Sequence, residues 1–314
     1  MNLKKTILAL AVAGVAAAPM MASAAGHGPD SAVYGSMRYG VESVDNGGTT
    51  ERVTTLRNFG SRFGIKGETD LGNGMTAFGK WEAHMFGAAL RDFQIGLKGD
   101  FGQVYAGDGI NHTWDSYMST DDTWWYGGQS HLSDGVQSNA ITYMGGAGAV
   151  SFGITAQMNA QAVNADEETV DAIEVVVAFD AGPVNIAVGM TDLNASPAAA
   201  DPEAVVGLVV KGAAGDFGYK VDFQSQGAAS GSTNDDASSF QLQGSFGSFY
   251  AQYGSSDDGA IGAASATPTN LVLGYTQTLG PKTLVWYEFI SQDADVVGTD
   301  TSTTIAATLK YEIL

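Results

Sequence analysis

From residue 31 onward, apolar and polar side chains alternate strictly through segments of about ten residues. A period of two is the pattern of a β-strand with two chemically different faces. Phe152, Ile154, Ala156 and Met158 share one parity, with Ser151, Gly153, Thr155 and Gln157 on the other. Val184, Ile186, Val188 and Met190 alternate with Asn185, Ala187, Gly189 and Thr191, and Phe217, Tyr219, Val221 and Phe223 with Gly218, Lys220, Asp222 and Gln224. Ile305, Ala307, Leu309 and Tyr311 lie opposite Ala306, Thr308 and Lys310. The connections alternate too. Tight turns fall at 70–74, 99–102, 145–148, 181–183, 215–216, 247–248 and 280–281. Longer polar or acidic stretches fall at 45–51, 85–90, 110–138, 160–169, 192–203, 226–236, 257–268 and 293–300. Sixteen strands joined by seven short turns and eight long loops make an up-and-down antiparallel sheet.

Two architectures accept such a sheet, a soluble sandwich or barrel with its apolar face inward, and a membrane barrel with that face outward. Size decides between them. A closed 16-stranded barrel is too wide for side chains to fill, so its polar face must be wet. A bilayer is then the sink for the apolar face, and closure satisfies every backbone N–H and C=O. Strands of ~9–11 residues match a tilted crossing. The expected fold is an all-β, 16-stranded antiparallel transmembrane β-barrel. Trp81, Tyr143, Tyr219, Phe249, Tyr253, Tyr275, Tyr287, Phe289 and Tyr311 fall near segment ends, where interfacial aromatic girdles sit. Composition agrees, with only 15 % charged residues and 42 glycines among 314. The 34 Asp+Glu against 14 Lys+Arg give a net charge of −20, which argues against a nucleic-acid partner. With no cysteine, disulfides, thiolate metal sites and cysteine nucleophiles are excluded.

Residues 1–24 read as a secretory signal peptide: Lys4 and Lys5 begin it, Ile7–Ala18 is its apolar core, and Ala22-Ser23-Ala24 offers a cleavage pattern. Residues 25–314 form the barrel domain.

Several segments resemble one family closely. Ser61-Arg62-Phe63-Gly64-Ile65-Lys66-Gly67-Glu68-Thr69-Asp70-Leu71-Gly72-Asn73-Gly74 resembles the second-strand signature of general diffusion porins of Gram-negative outer membranes. Ala77-Phe78-Gly79-Lys80-Trp81-Glu82 resembles their third strand, and Arg91 with Ile95-Gly96-Leu97-Lys98-Gly99 and Phe101-Gly102-Gln103-Val104 the fourth and fifth. Val33–Gly40 is similar to the first strand and Ser138–Tyr143 to the sixth. The resemblance is specific over residues 31–160 and architectural beyond. It implies an outer-membrane homotrimer that contacts lipid and lipopolysaccharide. It also implies barrels narrowed by an inward-folded third loop, with passive diffusion of small hydrophilic solutes and ions.

That constriction loop would be 110–138, the longest gap in the strand pattern. Among that loop's acids, Asp115, Asp121 and Asp122 are expected to supply the acidic side of the constriction, and the resemblance matches Arg38, Arg62 and Arg91, with Lys80 beside them, to the basic side. Alternation agrees for three of the four cations. Arg91 shares parity with Phe93, Ile95 and Leu97, which requires either a bulge or an outer face that meets another subunit. Gln137 stands where a basic residue is common in the family, and the Pro-Glu-Phe-Gly-Gly stretch is absent. With few cations and many acidic loops, the expected preference is for cations. The chain ends Tyr311-Glu312-Ile313-Leu314, displacing by one the aromatic that the family places two residues before a terminal Phe.

The alternative to general diffusion is a substrate-specific channel in which Trp114, Trp124 and Trp125 stack a solute. An enzyme is not expected, because no Gly-x-Ser-x-Gly elbow is present. His27, His84, His112 and His131 lack ligand-like spacing, so neither a metal nor a cofactor is expected.

Overall fold

The computed structural model describes residues 30–48, 51–87, 89–109, 112–118, 132–133, 135–136, 138–158, 170–193, 203–228, 233–260, 266–295 and 300–313. The proposed signal peptide, residues 119–131 and parts of the other long loops lie outside this set.

Sixteen antiparallel strands close into a barrel. They are β1 (Asp30–Asp45), β2 (in two segments, Val53–Asn58 and Arg62–Gly72), β3 (Met75–His84), β4 (Leu90–Gly99) and β5 (Gly102–Gly109). A short helix α1 (Thr113–Met118) precedes β6 (Ala140–Ala147), β7 (Val150–Met158), β8 (Val170–Asp180), β9 (Val184–Leu193) and β10 (Val205–Ala214). The ring is completed by β11 (Phe217–Gln226), β12 (Ala237–Phe246), β13 (Phe249–Asp257), β14 (Thr269–Gly280), β15 (Thr283–Asp293) and β16 (Ser302–Glu312). Each strand pairs with the next, and β16 returns to β1 in the register Ser36↔Glu312 to Asp45↔Thr303. No edge is left open, as a membrane demands.

The seven short turns fall where turn chemistry puts them. In the first, Asn73 and Gly74 take φ of 53° and 74°, and Asp70 Oδ1 accepts the Gly72 N–H at 2.8 Å. The same Asp-to-backbone bond recurs at Asp45, Asp180, Asp257, Asp258 and Asp293. Part of the acidic excess therefore builds turns, because a short carboxylate hydrogen-bonds its own backbone two residues on.

Alternation sorts the faces. Val33, Met37, Tyr39 and Val41 of β1 are exposed outward, while Ser36, Arg38 and Glu42 are buried inward. The final strand keeps its register despite the shifted terminus, with Tyr311 outward against Met37 and Lys310 inward against Arg38. Toward the short-turn end the exterior carries a row of rings that crosses five strands. The register pairs Phe217 with Phe246, Phe246 with Phe249, Phe249 with Tyr275, and Tyr275 with Tyr287. Ring centroids are 4.8 Å apart for Phe249–Tyr275 and 6.3 Å for Tyr275–Tyr287. Exposed rings in a line fit a bilayer interface.

One sector of the inner face departs from polar. Val176, Ala178, Ala187, Val205 and Val209 point inward from β8, β9 and β10 and are buried, opposite Val177, Phe179, Val188 and Leu208 outside. Those strands are apolar on both faces because helix α1 covers them within.

Candidate pore-lining site

Arg38, Arg62, Lys80 and Arg91 form a cluster on the inner face of β1–β4. Two strand irregularities build it. Strand β2 breaks at Phe59-Gly60-Ser61, where Gly60 takes φ of 70°. The break lies beside Arg38: the Phe59 N–H donates to the Arg38 carbonyl at 3.0 Å, and the Arg38 N–H donates to Ser61 Oγ at 2.8 Å. The Arg38 guanidinium donates through Nε to Ser36 Oγ at 3.0 Å. The second irregularity is in β4. Glu82 pairs with Asp92 but Ala83 pairs with Leu90, so Arg91 is the extra residue of a bulge. A bulge re-aims one side chain. Here it turns Arg91 inward to an ion pair with Glu82, while Phe93 and Ile95 stay exposed outside. Of the two explanations that parity left open for Arg91, the bulge holds.

Glu82 is the hub. It accepts from Arg91 and lies 3.8 Å from an Arg62 nitrogen. Lys80 pairs with buried Asp92 in the same way. An ion pair at about 4 Å is worth ~1 kcal/mol in water and ~4 kcal/mol when partly desolvated, enough to let like-charged arginines share one patch. Sequence reasoning passed over Glu82 and Asp92 as counter-ions, and it also passed over Lys310. That lysine is the direct cross-strand partner of Arg38 and is paired with Glu312. The signal was available in parity, since Glu82 alternates with Trp81, and Lys310 with Tyr311.

Behind the cluster, the Tyr34 ring lies across Gly64, the cross-strand partner of Glu82; a Cβ at Gly64 would meet the phenol oxygen at 2.6 Å. The same device recurs across β13–β15. Tyr250 crosses Gly274, and its hydroxyl donates to Glu288 Oε1 at 2.6 Å. An aromatic ring laid over a glycine one strand away reaches a carboxylate two strands away.

The loop between β5 and β6 begins on the inner wall. Helix α1 buries Trp114 (2 % exposed) and Met118 (0 %) against Val176, Ala187, Val205 and Val209. Small residues make the approach possible: a Cβ at Gly207 would fall 2.8 Å from Met118 Cε and 2.9 Å from Trp114 Cη2. Polar wall residues hold the loop at both ends. Glu174 accepts the Trp114 N–H at 3.1 Å and also the Val136 N–H, so one carboxylate fixes the start and the return. Gln224 Oε1 accepts the N–H groups of Leu132 and Ser133 at 2.9 and 3.1 Å. A hydroxyl chain links Thr142, Thr155 and Thr113, at 2.9 and 2.8 Å, and His112 Nδ1 meets Thr142 Oγ1 at 2.8 Å. Burial pushes the His112 imidazole down to about 4, against a smaller upward pull from Asp108.

Of the candidate residues in the loop, Asp115 lies on α1 and is half-buried. Trp114 anchors the helix, its Nε1–H donating to the Ser133 carbonyl at 3.0 Å, and it offers no ring face to a solute. Asp121, Asp122, Trp124, Trp125 and Gln137 lie outside the described residues. The anchoring residues Glu174 and Gln224 were missed, although the broken alternation of Val175-Val176-Val177-Ala178 and Val205-Val206-Gly207-Leu208-Val209 marked a wall covered on both faces. Among the described residues no group of three or more His, Asp or Glu is placed to hold a metal ion.

A closed barrel with an aromatic, apolar exterior and a charged interior is an integral membrane protein of the porin class. A family model described as Gram-negative porin matches residues 6–295, and the chain belongs to that family. Its location is accordingly the outer membrane, and its family consists of channels rather than enzymes. Among curated proteins, the chain is 32 % identical over 143 residues to the major outer membrane protein P.IB of Neisseria lactamica. It is 35 % identical over 120 residues to the protein of that name from Neisseria meningitidis. These segments cover 38 % and 33 % of this chain and 40 % and 33 % of the relatives, so less than half of either relative is spanned. Among solved structures, the anion-selective porin from Comamonas acidovorans aligns with a TM-score of 0.75 at 18 % identity, over 91 % of this chain and 100 % of that one. OmpT of Vibrio cholerae in a trimer form aligns with 0.70 at 15 % identity, over 91 % and 100 %. At these identities the likeness establishes the fold.

Proposed function

We propose that this chain forms a water-filled, cation-preferring channel for passive diffusion of small hydrophilic solutes and ions. In it the loop 110–138 narrows the lumen, Asp115, Asp121 and Asp122 line its acidic side, and Arg38, Arg62, Lys80 and Arg91 line its basic side. The observation that carries this reading is helix α1, fixed on the inner wall of β8–β10, roughly half the ring away from the arginine cluster. A loop held there faces the basic wall across the lumen, and the opposed charges set a transverse field. Cation preference is supported by the balance of charge. Arg62 and Arg91 share Glu82, Lys80 has Asp92 and Lys310 has Glu312, so much of the wall's positive charge is compensated locally. The chain as a whole keeps 34 acidic against 14 basic residues, a net charge of −20.

Reversal potentials in a KCl gradient across a planar bilayer test the reading. The parent chain should give a cation-selective potential, and the triple change Asp115→Asn, Asp121→Asn, Asp122→Asn should move it toward the chloride potential. An unchanged potential overturns the acidic assignment. The alternative of a solute-specific site built on Trp114, Trp124 and Trp125 loses one of its three rings to the wall. It predicts saturable block by one solute class, where general diffusion predicts flux that falls smoothly with solute size.

Self-association as a homotrimer in lipid and lipopolysaccharide belongs to the same proposal, supported by the trimer form of OmpT and by the exposed apolar exterior. The mass of the detergent-extracted particle measures it, and a monomeric particle argues against it.

A further inference from the structure

Two rows of outward side chains run side by side across the exterior of β13, β14, β15, β16 and β1. Cross-strand register sets Phe249, Tyr275, Tyr287, Ala307 and Val41 in one row, and Leu273, Phe289, Ile305 and Ser43 in the next. Between the rows lie Gly274, Glu288 and Ala306, which occupy lumen-facing positions, so backbone floors the gap. The result is an exterior groove of about 520 Å³ that spans four strand spacings, ~19 Å. Its depth comes from Ala307. The line of rings that begins at Phe217 stops at Tyr287, and the next place in the row holds only a methyl group. Among the described lining residues the one ionisable carboxylate, Glu288, is turned to the lumen, where it accepts the Tyr250 hydroxyl. The Ser43 hydroxyl at the far end shares a hydrogen bond with Thr54 Oγ1 at 3.0 Å. The groove is therefore long, narrow and uncharged.

We propose that this groove seats an acyl chain of a phospholipid from the periplasmic leaflet. The groove has a direction. Its lower end is Phe249, the first residue of β13 directly after the short turn at Gly247-Ser248, and its upper end is Val41, well inside β1. It rises obliquely from the short-turn interface, which faces the periplasm in outer-membrane barrels, into the hydrocarbon. A chain lying in it keeps its headgroup at that interface. Polar groups mark the depth there, since the Tyr287 hydroxyl donates to Oε1 of outward Gln277 at 3.4 Å. Shape selects the occupant as well. Apolar neighbours in a bilayer gain nothing from leaving water, so packing decides between them. A second barrel is convex and would rest on the rims at Phe249, Tyr287 and Phe289, leaving the floor without contact atoms. A flexible hydrocarbon chain reaches the floor along its whole length. The proposal needs only a barrel that spans a membrane, and does not depend on which ion the channel prefers.

The test is photo-crosslinking of the purified full chain in vesicles of phosphatidylethanolamine and phosphatidylglycerol. The probe is phosphatidylethanolamine with a diazirine in the middle of one acyl chain, and peptide mass spectrometry locates the adducts. Peptides with Tyr287, Phe289 and Ile305 should be labelled about fivefold more than those with Leu208 and Phe223, which are exposed on β10 and β11 outside the groove. Ala307→Phe supplies the missing ring and should abolish that excess, with labelling at Leu208 and Phe223 unchanged. Ala307→Leu should remove part of it, and carries the test if the larger side chain disturbs folding. A diazirine beside the headgroup should move labelling toward Phe249 and Tyr275, and one at the chain end toward Val41 and Ile305. The opposite order overturns the proposal, because it puts the headgroup at the long-loop end, as a lipid of the outer leaflet would. Equal labelling of the groove and of β10–β11 also overturns it, as does an excess that Ala307→Phe leaves intact. Labelling in the groove below that at Leu208, with copies of the chain crosslinked to each other, overturns it in favour of a second copy. Reversal potentials read ion preference separately, so the two readings fail by different measurements.

Discussion

Two carboxylates organise the interior residue by residue, and they do different work. Glu82 sits between Arg62 and Arg91, so Glu82→Gln leaves two cations sharing a patch without their counter-ion. The expected outcome is a reversal potential displaced toward anions, with a loss of about 3 kcal/mol or more in unfolding free energy, typical of a broken buried pair. Potential measurements and urea titrations in vesicles check the two halves. Glu174 instead accepts two backbone N–H groups of the loop. Glu174→Ala strands both donors, at about 1–3 kcal/mol each. Amides in 112–118 and 132–136 should then exchange with solvent faster by tenfold or more while barrel strands stay protected, as hydrogen exchange would record. The inward facing of Arg38, Arg62 and Lys80 was legible in sequence, because parity placed each opposite apolar neighbours. The roles of Glu82 and Glu174 were not, because an acid's role in a barrel depends on which strand brings it a partner.

Among elements, the loop that begins with α1 carries a pH dependence through His112. His112 stacks on Tyr105 at 5.8 Å and is held neutral by burial, its pKa lowered to about 4 from an ordinary 6.5. When the loop is undocked, the imidazole takes a proton as pH falls below about 6.5, whereas the docked ring resists until about 4. At His112 the undocked state therefore binds more protons across that window, and the His112 contribution to docking stability is full above it and declines as pH falls through it. Loop amide exchange between pH 7 and 4 should accelerate beyond its intrinsic pH dependence, and His112→Asn should abolish the excess. Strands and short turns were legible throughout, since Asp, Asn and Gly announce turns whatever surrounds them. The bulge at Arg91 was not, because a bulge is a relation between two strands.

For the whole molecule, the row Phe217–Phe246–Phe249–Tyr275–Tyr287 crosses five strands of the exterior near the short-turn end, the position of an interfacial aromatic girdle. Replacing Phe249 and Tyr275 together by serine removes a ring pair and its interfacial contact, and about 2 kcal/mol of stability should go with them. Urea unfolding from lipid vesicles measures it, and in detergent micelles the loss should be smaller.

Sequence by itself determined the strand count, the alternation of turns and loops, the outward face and the inward parity of Arg38, Arg62 and Lys80. These follow from local periodicity and turn chemistry, which any stretch of chain expresses on its own. Tertiary structure alone decided that Arg91 turns inward, that Lys310 stands beside Arg38, and that Trp114 anchors rather than stacks. Each of these depends on register and closure. Those join strands far apart in the chain, and a period of two is the same whichever neighbour a strand acquires.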